Sequence, residues 1–470
     1  MHKIFKKKSA PGNDGIKNIN LINLSYLGKL RLLNIFNNSW KHGKLINDWK
    51  IAEVIMLKKK DNDCSNPNNY RPISLTKCKG KLMEKLIKYR LISFLNKHDI
   101  LSPYQSGFRS NRQTTDNLFY FNQKTFEAFD EKKTTIGLVL DIQQAFDKIW
   151  HTGLLYKLSK INLPKKLGNW IKDSISKRKY YVKVDKAKSD IFTTTAGLFQ
   201  GTILSPILFS IFINDITEIN NLPTNKISTL LFADDLFAFF ADKNINRLFI
   251  IMQKYITNLE LWFNKWRLQL STNKCSYNIF RKGNLPNNIK NKKLILFSSD
   301  LKIDKNPTYL GLTIDSKLKY KTHADNIKEK CTRCLNVISN LSYKNWSLKT
   351  EEKLTVYKCL IRSKMEYAAP ALFISKYYIQ LMNGIQYKAL KIIFKEKTGV
   401  SSTSLHNKAK ISTISNRFNL LSKNYFKNSI VNLNPLNTSL YNTMNHSSGE
   451  NKTPIEQIIE LGDMNSNEGI

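Results

Sequence analysis

The stretch "LLFADDLFAFF", residues 230 to 240, sets Asp234 and Asp235 side by side in a run that is otherwise almost wholly apolar. Apolar and aromatic residues on both sides fit a β-hairpin with the carboxylates at its turn. Upstream, "TTIGLVLDI" reads as a strand ending at Asp141, 93 residues before Asp234. Adjacent strands of one sheet would bring the three acids together. Clustered carboxylates repel one another and desolvation raises their pKa values, so such a group is tolerated only with cations between its members. Oxygen-only ligation with open positions suits Mg²⁺. Two such ions a few ångströms apart are the arrangement used for nucleotidyl transfer. The bland alternative is a polar hairpin turn and an ordinary strand end, since Asp is a common turn former. The acids by themselves leave both open.

At 470 residues the chain can form two or three domains with a substantial core. Its 75 Lys and Arg against 36 Asp and Glu give a formal net charge of +39. Such a field favours polyanionic partners. Residues 401–470 hold 6 basic and 5 acidic residues, so nearly all of the excess lies before them. The start, "MHKIFKKKSAPG", lacks the apolar stretch of a signal peptide, and no window reaches the roughly 18 apolar residues of a membrane span. The expectation is a soluble, intracellular protein. Six scattered cysteines argue for free thiols. Cys331-x-x-Cys334 lacks a second pair at zinc spacing and sits in helical periodicity, which argues against a metal there.

Along the chain, "IAEVIMLKKK" is a strand running into a basic tip, followed by the turn-rich "DNDCSNPNNY". Leu82, Met83, Leu86, Ile87, Leu91, Phe94 and Leu95 share one broad helical face. "LSPILFSIFINDI" reads as a helix with Ser205 as N-cap and Pro206 at the first helical position. Apolar residues recur at spacings of three and four from Ile245 to Trp266, a helix signal sustained over several turns. Short strands follow around "CSYNIF", "LILFSS" and "TYLGLTI", and helical patterns then dominate to about Phe394. From 401 onward the chain is rich in Asn and Ser, poor in charge and weakly periodic, which predicts a loosely ordered tail or an incomplete domain.

The order of segments resembles the reverse transcriptases of non-LTR (LINE-like) retrotransposons, most closely the jockey type. The likeness is carried by "APGNDGI" (10 to 16), "NYRPISLTKCKGKLMEKLIKYRL" (69 to 91), "YQSGFRSNRQTTDNL" (104 to 118) and "LDIQQAFDKIWHTGLL" (140 to 155). It continues through "GLFQGTILSPILFSIFINDI" (197 to 216), "FADD" (232 to 235), "LQLSTNKC" (268 to 275) and "YLGLTIDSKLKY" (309 to 320). "CLIRSKMEYAAPAL" (359 to 372) resembles a segment found downstream of the polymerase in such elements. The resemblance implies an α+β right-hand polymerase. Residues 1–48 would be a lead segment with the first motif, 49–313 fingers and palm, 314–400 an α-helical thumb, and 401–470 the tail.

The same resemblance implies roles for individual residues. Asp141 and Asp234 fall on the main metal ligands of the family, Asp235 completes the acidic cluster, and the Ile142 carbonyl supplies a further oxygen to two Mg²⁺ ions, with Mn²⁺ as the alternative ion. Phe146 falls under the incoming sugar, where an apolar ring blocks a 2′-hydroxyl and offers it no hydrogen bond, so dNTPs are the expected substrates. Gln200 and Gly201 form a turn used against the nucleotide and template base. Arg71 and Lys59 match the fingers residues that clamp the triphosphate. "LKKKDND" lacks the proline and glycine usual beside that lysine. Lys274 matches a lysine proposed to protonate departing pyrophosphate. Arg109 and Arg112 are expected at template phosphates, and His151 is expected to be a packing residue.

The expected partners are an RNA template, a DNA primer or nicked target DNA, and dNTPs, with no membrane. Nuclear localisation follows only from target-site priming in related elements. An intron maturase-type reverse transcriptase would need an RNA-splicing domain that is not recognisable after residue 400. An RNA-templated RNA polymerase fits poorly with Phe146. A decayed or domesticated RNA-binding remnant is supported equally by the charge, but gives no physical reason to retain the acids. Jockey-like polyproteins normally carry an upstream endonuclease domain, whereas Met1 stands about ten residues before the first motif. The expectation is therefore a truncated or mis-bounded copy that does not nick a target by itself.

Overall fold

Alternating burial along "IAEVIMLK", with Ala52 and Val54 inward, marks a half-buried strand, and its partner follows after a short connection. In the computed structural model the described residues are 9–59, 63, 65–219, 227–286, 289, 292–343, 348–372, 375–397, 399–443 and 453–460. The basic run at 6 to 8, Cys64 and most of the loop before it lie outside them. The strands used below are β1 (Ile51–Lys58), β2 (Tyr70–Leu75), β3 (Thr134–Asp141), β4 (Lys179–Val184), β5 (Ser228–Phe232), β6 (Asp235–Asp242) and β7 (Ser276–Phe280). The helices are α1 (Tyr26–His42), α2 (Cys78–Lys97), α3 (Thr114–Asp130), α4 (Ser205–Ile213), α5 (Ile245–Trp266), α6 (Lys321–Tyr343), α7 (Lys376–Phe394) and α8 (Ile414–Val431).

The chain divides into two units. The first comprises Met1–Phe108, Ile142–Ile219 and Leu259–Leu270, and the second comprises Arg109–Asp141, Asn220–Asn258 and Ser271–Ile470. In the first unit β1 pairs antiparallel with β2 and parallel with β4. Leu82, Met83, Ile87, Leu91 and Leu95 of α2 are buried, as the face read from the sequence requires, while Leu86 and Phe94 lie at its half-exposed margin. α4 is buried nearly all round, which explains why "SPILFSIFI" has no polar stripe. Its first residue is Ser205, and Leu204 takes the N-cap position without a side-chain cap. Ser205, expected as the N-cap, therefore lies one position inside the helix, its hydroxyl 2.5 Å from that of Thr202.

An acid hides on the apolar face of α2. Glu84 is buried, pairs with Arg178 at 2.7 Å, and accepts the Ile203 N–H at 2.9 Å through its other oxygen. It therefore ties α2 both to the residue before β4 and to the loop that feeds α4.

In the second unit a five-stranded sheet runs in the order Lys302–Ile303, β7, β3, β6, β5, so β3 is central. β3 is flanked antiparallel by β6 and β7 over nearly its whole length. Phe121 of α3 meets Phe237, Phe239 and Phe280 edge-on, with ring centroids 4.8, 5.2 and 5.1 Å away. These geometries suit the aromatic quadrupole better than face-to-face stacking.

The region after 401 departs from the expected loose tail. Ser402–Ala409, α8, Pro435–Thr443 and Pro454–Glu460 are helices, and Phe418, Phe426, Leu436, Leu440, Ile455 and Ile458 are buried. Phe119 of α3 packs against Tyr425 and Phe426, so α3 is covered on this side as well. The polar character that suggested disorder belongs to a buried network. The Tyr425 hydroxyl donates to Asp116 at 2.8 Å, Asn437 donates to Tyr425 at 2.8 Å, and Ile455 N–H donates to Gln123 at 3.1 Å. Before this region, α6 and α7 supply the helical character expected of 314–400.

Candidate active site

β5 and β6 are joined through Ala233 and Asp234, with Phe232 opposite Asp235 in the ladder. A two-residue turn of this kind needs positive φ, and Ala233 adopts φ 58°. A non-glycine residue in that region costs on the order of 1 to 2 kcal/mol, which the surrounding hairpin must offset. The turn lifts Asp234 to the end of the sheet. Asp235 opens β6 directly opposite Asp141, the last residue of β3. The expected convergence of two carboxylate-bearing strand ends is therefore observed within one unit.

The electrostatics carry the mark of that crowding. The Asp235 carboxyl is pushed up to about 6, by desolvation first and then by the negative charges of Asp234 and Asp141. Because the residue retains solvent access, the two neighbouring charges are the part of the shift that a bound cation would relieve. Lys274, in the turn Thr272–Lys274, brings its ammonium to 3.4 Å from the Asp141 carboxylate. The Asp141 carbonyl accepts the Ser271 N–H at 2.8 Å, which fixes this turn beside the strand end.

Among the described residues no three His, Cys, Asp or Glu side chains are already gathered to hold one metal ion. Mg²⁺ does not require such a cage, since it keeps several waters and takes one or two carboxylates plus substrate phosphates. Three mutually repelling carboxylates at neighbouring strand ends fit that demand. Cys331 and Cys334 both lie in α6, Cys331 is buried, and Lys364 donates to the Cys334 sulfur at 3.0 Å.

The raised Asp235 pKa has a testable sign. Its folded value near 6 lies above the ordinary 3.8, so its contribution to stability is fully present below pH about 4 and is lost as pH rises through about 6. Thermal unfolding of the metal-free protein between these limits should show a decline in Tm that Asp235→Asn flattens. An unchanged slope in the variant would refute the assignment.

The first unit holds the residues expected to meet a nucleotide. The Phe146 ring stacks on the buried Phe209 at 4.7 Å and 22°, and meets Phe108 edge-on at 6.1 Å. Its backbone is fixed too, because Leu198 N–H donates to the Phe146 carbonyl and Gly197 N–H to that of Ile149, both at 2.8 Å. Gly197 has φ 86°, and a Cβ there would stand 2.6 Å from the Asp147 carbonyl oxygen, so only glycine permits the approach. His151 reaches the Gly197 carbonyl at 2.7 Å, a structural contact in keeping with the packing role expected of it.

Gln200 accepts the Ser74 N–H at 2.7 Å through its backbone carbonyl, joining this turn to β2. Gly201, at φ 112°, would drive a Cβ to 2.8 Å from the Ser74 carbonyl oxygen. Arg71 is exposed on β2 opposite Leu57, and Lys59 closes the β1–β2 connection by donating its N–H to the Asn69 carbonyl at 2.8 Å. Ile142 is buried and forms an isolated antiparallel bridge with Leu270.

Arg112 hydrogen-bonds Asn434, and burial together with the Arg109 charge pushes its pKa down to about 10, while Asp116 and Tyr425 act in the opposite sense. Arg112, expected at a template phosphate, thus has intramolecular partners in the network that seats the C-terminal helices. Sequence reasoning also missed Glu84 and Asp147. The signal for Glu84 was an acid among the apolar positions of "LMEKLI", and for Asp147 its place next to Phe146.

Antiparallel sheet, paired acids at its strand ends and a glycine-dependent turn before an apolar helix together describe a polymerase of the right-hand class. The reverse transcriptase (RNA-dependent DNA polymerase) family matches residues 57–314, more than half of the chain, and the chain belongs to that family. It is 28% identical over 435 residues to the RNA-directed DNA polymerase from mobile element jockey of Drosophila melanogaster, covering 91% of this chain and 47% of that protein. It is 26% identical over 411 residues to a probable RNA-directed DNA polymerase from transposon BS of the same fly, covering 87% and 45%. The chain thus spans about half the length of the curated relatives it matches. Among solved structures, telomerase from Candida albicans with a fragment of telomeric RNA aligns with 9% identity and a TM-score of 0.45, over 83% of this chain and 71% of that one. No described helix is long and apolar enough to cross a membrane.

Proposed function

We propose that this chain extends a DNA 3′-hydroxyl on an RNA template with dNTPs, as the polymerase of a non-LTR retrotransposon. The observation that supports this most is the pairing of Asp141 with Asp235 across β3 and β6, with Asp234 in the adjoining turn. In this reading Asp141 and Asp234 would hold two divalent ions, Asp235 would complete the acidic cluster, and the Ile142 carbonyl would supply a further oxygen. Bound there, such ions would supply activation of the attacking hydroxyl and charge neutralisation for the leaving pyrophosphate. Lys274 holds a proton at Nζ for that leaving group.

Phe146, braced by Phe209, excludes a 2′-hydroxyl by occupying its volume. The Gln200–Gly201 turn bears on the nucleotide, Arg71 and Lys59 pair with triphosphate oxygens, and Arg109 meets template phosphate. The template, the primer or nicked target DNA and the nuclear setting belong to the same proposal.

Primer extension by purified protein on poly(rA) with oligo(dT), supplied with dTTP or UTP and Mg²⁺ or Mn²⁺, tests it. Product with dTTP and little with UTP is expected. Phe146→Ala should raise relative UTP use by about 10² to 10³-fold, the scale of a steric rejection of some 3 to 4 kcal/mol. No product under either ion, with RNA binding retained, would favour a binding remnant. Equal use of UTP by the unaltered protein would remove the steric argument.

A further inference from the structure

Gln200 sits in the turn assigned to the nucleotide, yet a glutamine on a turn has rotamer freedom and two chemically opposite ends. The structure restrains that freedom through one neighbour. The Gln200 Nε2 donates to both carboxylate oxygens of Asp147, at 3.1 Å each. An ionised carboxylate only accepts hydrogen bonds, so it selects the nitrogen end of the amide and leaves the carbonyl oxygen facing away as an acceptor. The backbone that carries the carboxylate is itself held. Asp147 follows Phe146 in the chain, and the flanking backbone hydrogen bonds from Gly197 and Leu198 lock residues 146 to 149 onto the turn. Desolvation raises the Asp147 pKa, while the Gln200 hydrogen bond and the Lys59 charge lower it.

We infer that Asp147 is a positioning residue for nucleotide selection. It orients Gln200 so that an acceptor is presented to a hydrogen-bond donor of the incoming nucleotide, and it does so independently of the Phe146 ring. The two neighbours divide the task. Phe146 takes its position from packing on Phe209, and Gln200 takes its orientation from a carboxylate. The inference rests on the polymerase reading for its kinetic consequence, but the orientation is a property of the protein alone.

Two measurements test it separately. In primer extension, Asp147→Ala should raise KM for dTTP about tenfold with a much smaller change in kcat, the scale of one oriented hydrogen bond. Gln200→Ala should do the same, and the double variant should be no worse than either single one. Asp147→Asn, which offers a donor as well as an acceptor and so no longer selects one end of the amide, should recover only part of the loss. The preference for dTTP over UTP should persist in all of them. Additive losses, or collapse of that preference together with KM, would overturn the inference in favour of general damage to the turn.

Independently of activity, selective ¹⁵N-glutamine labelling reads the Gln200 side-chain amide, identified by its absence in Gln200→Ala. Its protons should exchange slowly in the unaltered protein and quickly in Asp147→Ala. An amide indifferent to Asp147→Ala would overturn the inference. A protected amide in a protein that makes no DNA would instead sink the polymerase reading and leave the orientation standing.

Discussion

Asp234→Asn is expected to abolish DNA synthesis, by about 10³-fold or more, while RNA affinity is retained. The substitution is nearly isosteric, so the turn at Ala233 and the pairing of Phe232 with Asp235 should survive. What disappears is one anionic oxygen donor, and a carboxamide is a far poorer partner for a hard dication. A group that acts with its neighbours as a unit costs nearly the whole rate when it is removed alone. RNA affinity is expected to follow the net charge of +39, and losing one acid makes that field slightly more positive. Primer extension and filter binding at several salt concentrations, run on the same preparations, check both halves. Synthesis within tenfold of the unaltered protein would remove Asp234 from the ligand set. As a companion sign, the Asp235 pKa should fall in this variant, because one of the two charges that raise it has gone.

Glu84→Ala is expected to destabilise the first unit by about 3 to 5 kcal/mol, the cost of stranding a buried charge. Arg178 is 7% exposed in its side chain and Glu84 is 3% exposed, so neither charge can turn to water when its partner is lost. The second Glu84 oxygen holds the Ile203 N–H, two residues beyond Gly201. The loss should therefore be felt at the nucleotide turn as a raised KM for dTTP, even in the fraction that folds. Urea unfolding measures the stability term. Replacing Glu84 and Arg178 together by Met should recover much of it, because paired apolar residues leave no uncompensated ion. A single variant within 1 kcal/mol of the unaltered protein would mean that water or another group reaches Arg178.

Much of this was legible because it depends on period and on isolated charges. The helix from Ile245 to Trp266 was visible in its spacing, and Leu248, Met252, Tyr255 and Leu259 are indeed buried. The acids stood out because a strand interior has no other use for them. The C-terminal helices were not legible. In α8 the core residues Phe418, Tyr425 and Phe426 stand among Asn, Ser and Lys, while Leu420 is exposed, and the buried Asn434 and Asn437 look like solvent residues until a partner is found. Their hydrogen bonds reach Arg112 and, through Tyr425, Asp116, some 300 residues earlier in the chain. No local pattern encodes such a pairing. The same applies to Glu84, whose partner lies on a different element, and to Arg112, whose basic character suggested a phosphate while its neighbours supplied an amide.

The central place of β3 bears on how the protein is made. Its neighbours in the sheet begin at Asp235 and Ser276. A ribosome adding 5 to 20 residues per second leaves the apolar strand without either neighbour for on the order of ten seconds. Both of its edges are then open templates for pairing with another chain. Yield of the enzyme in a cell should therefore track the supply of chaperones that shield nascent strands, and slow translation between residues 141 and 280 should lower it.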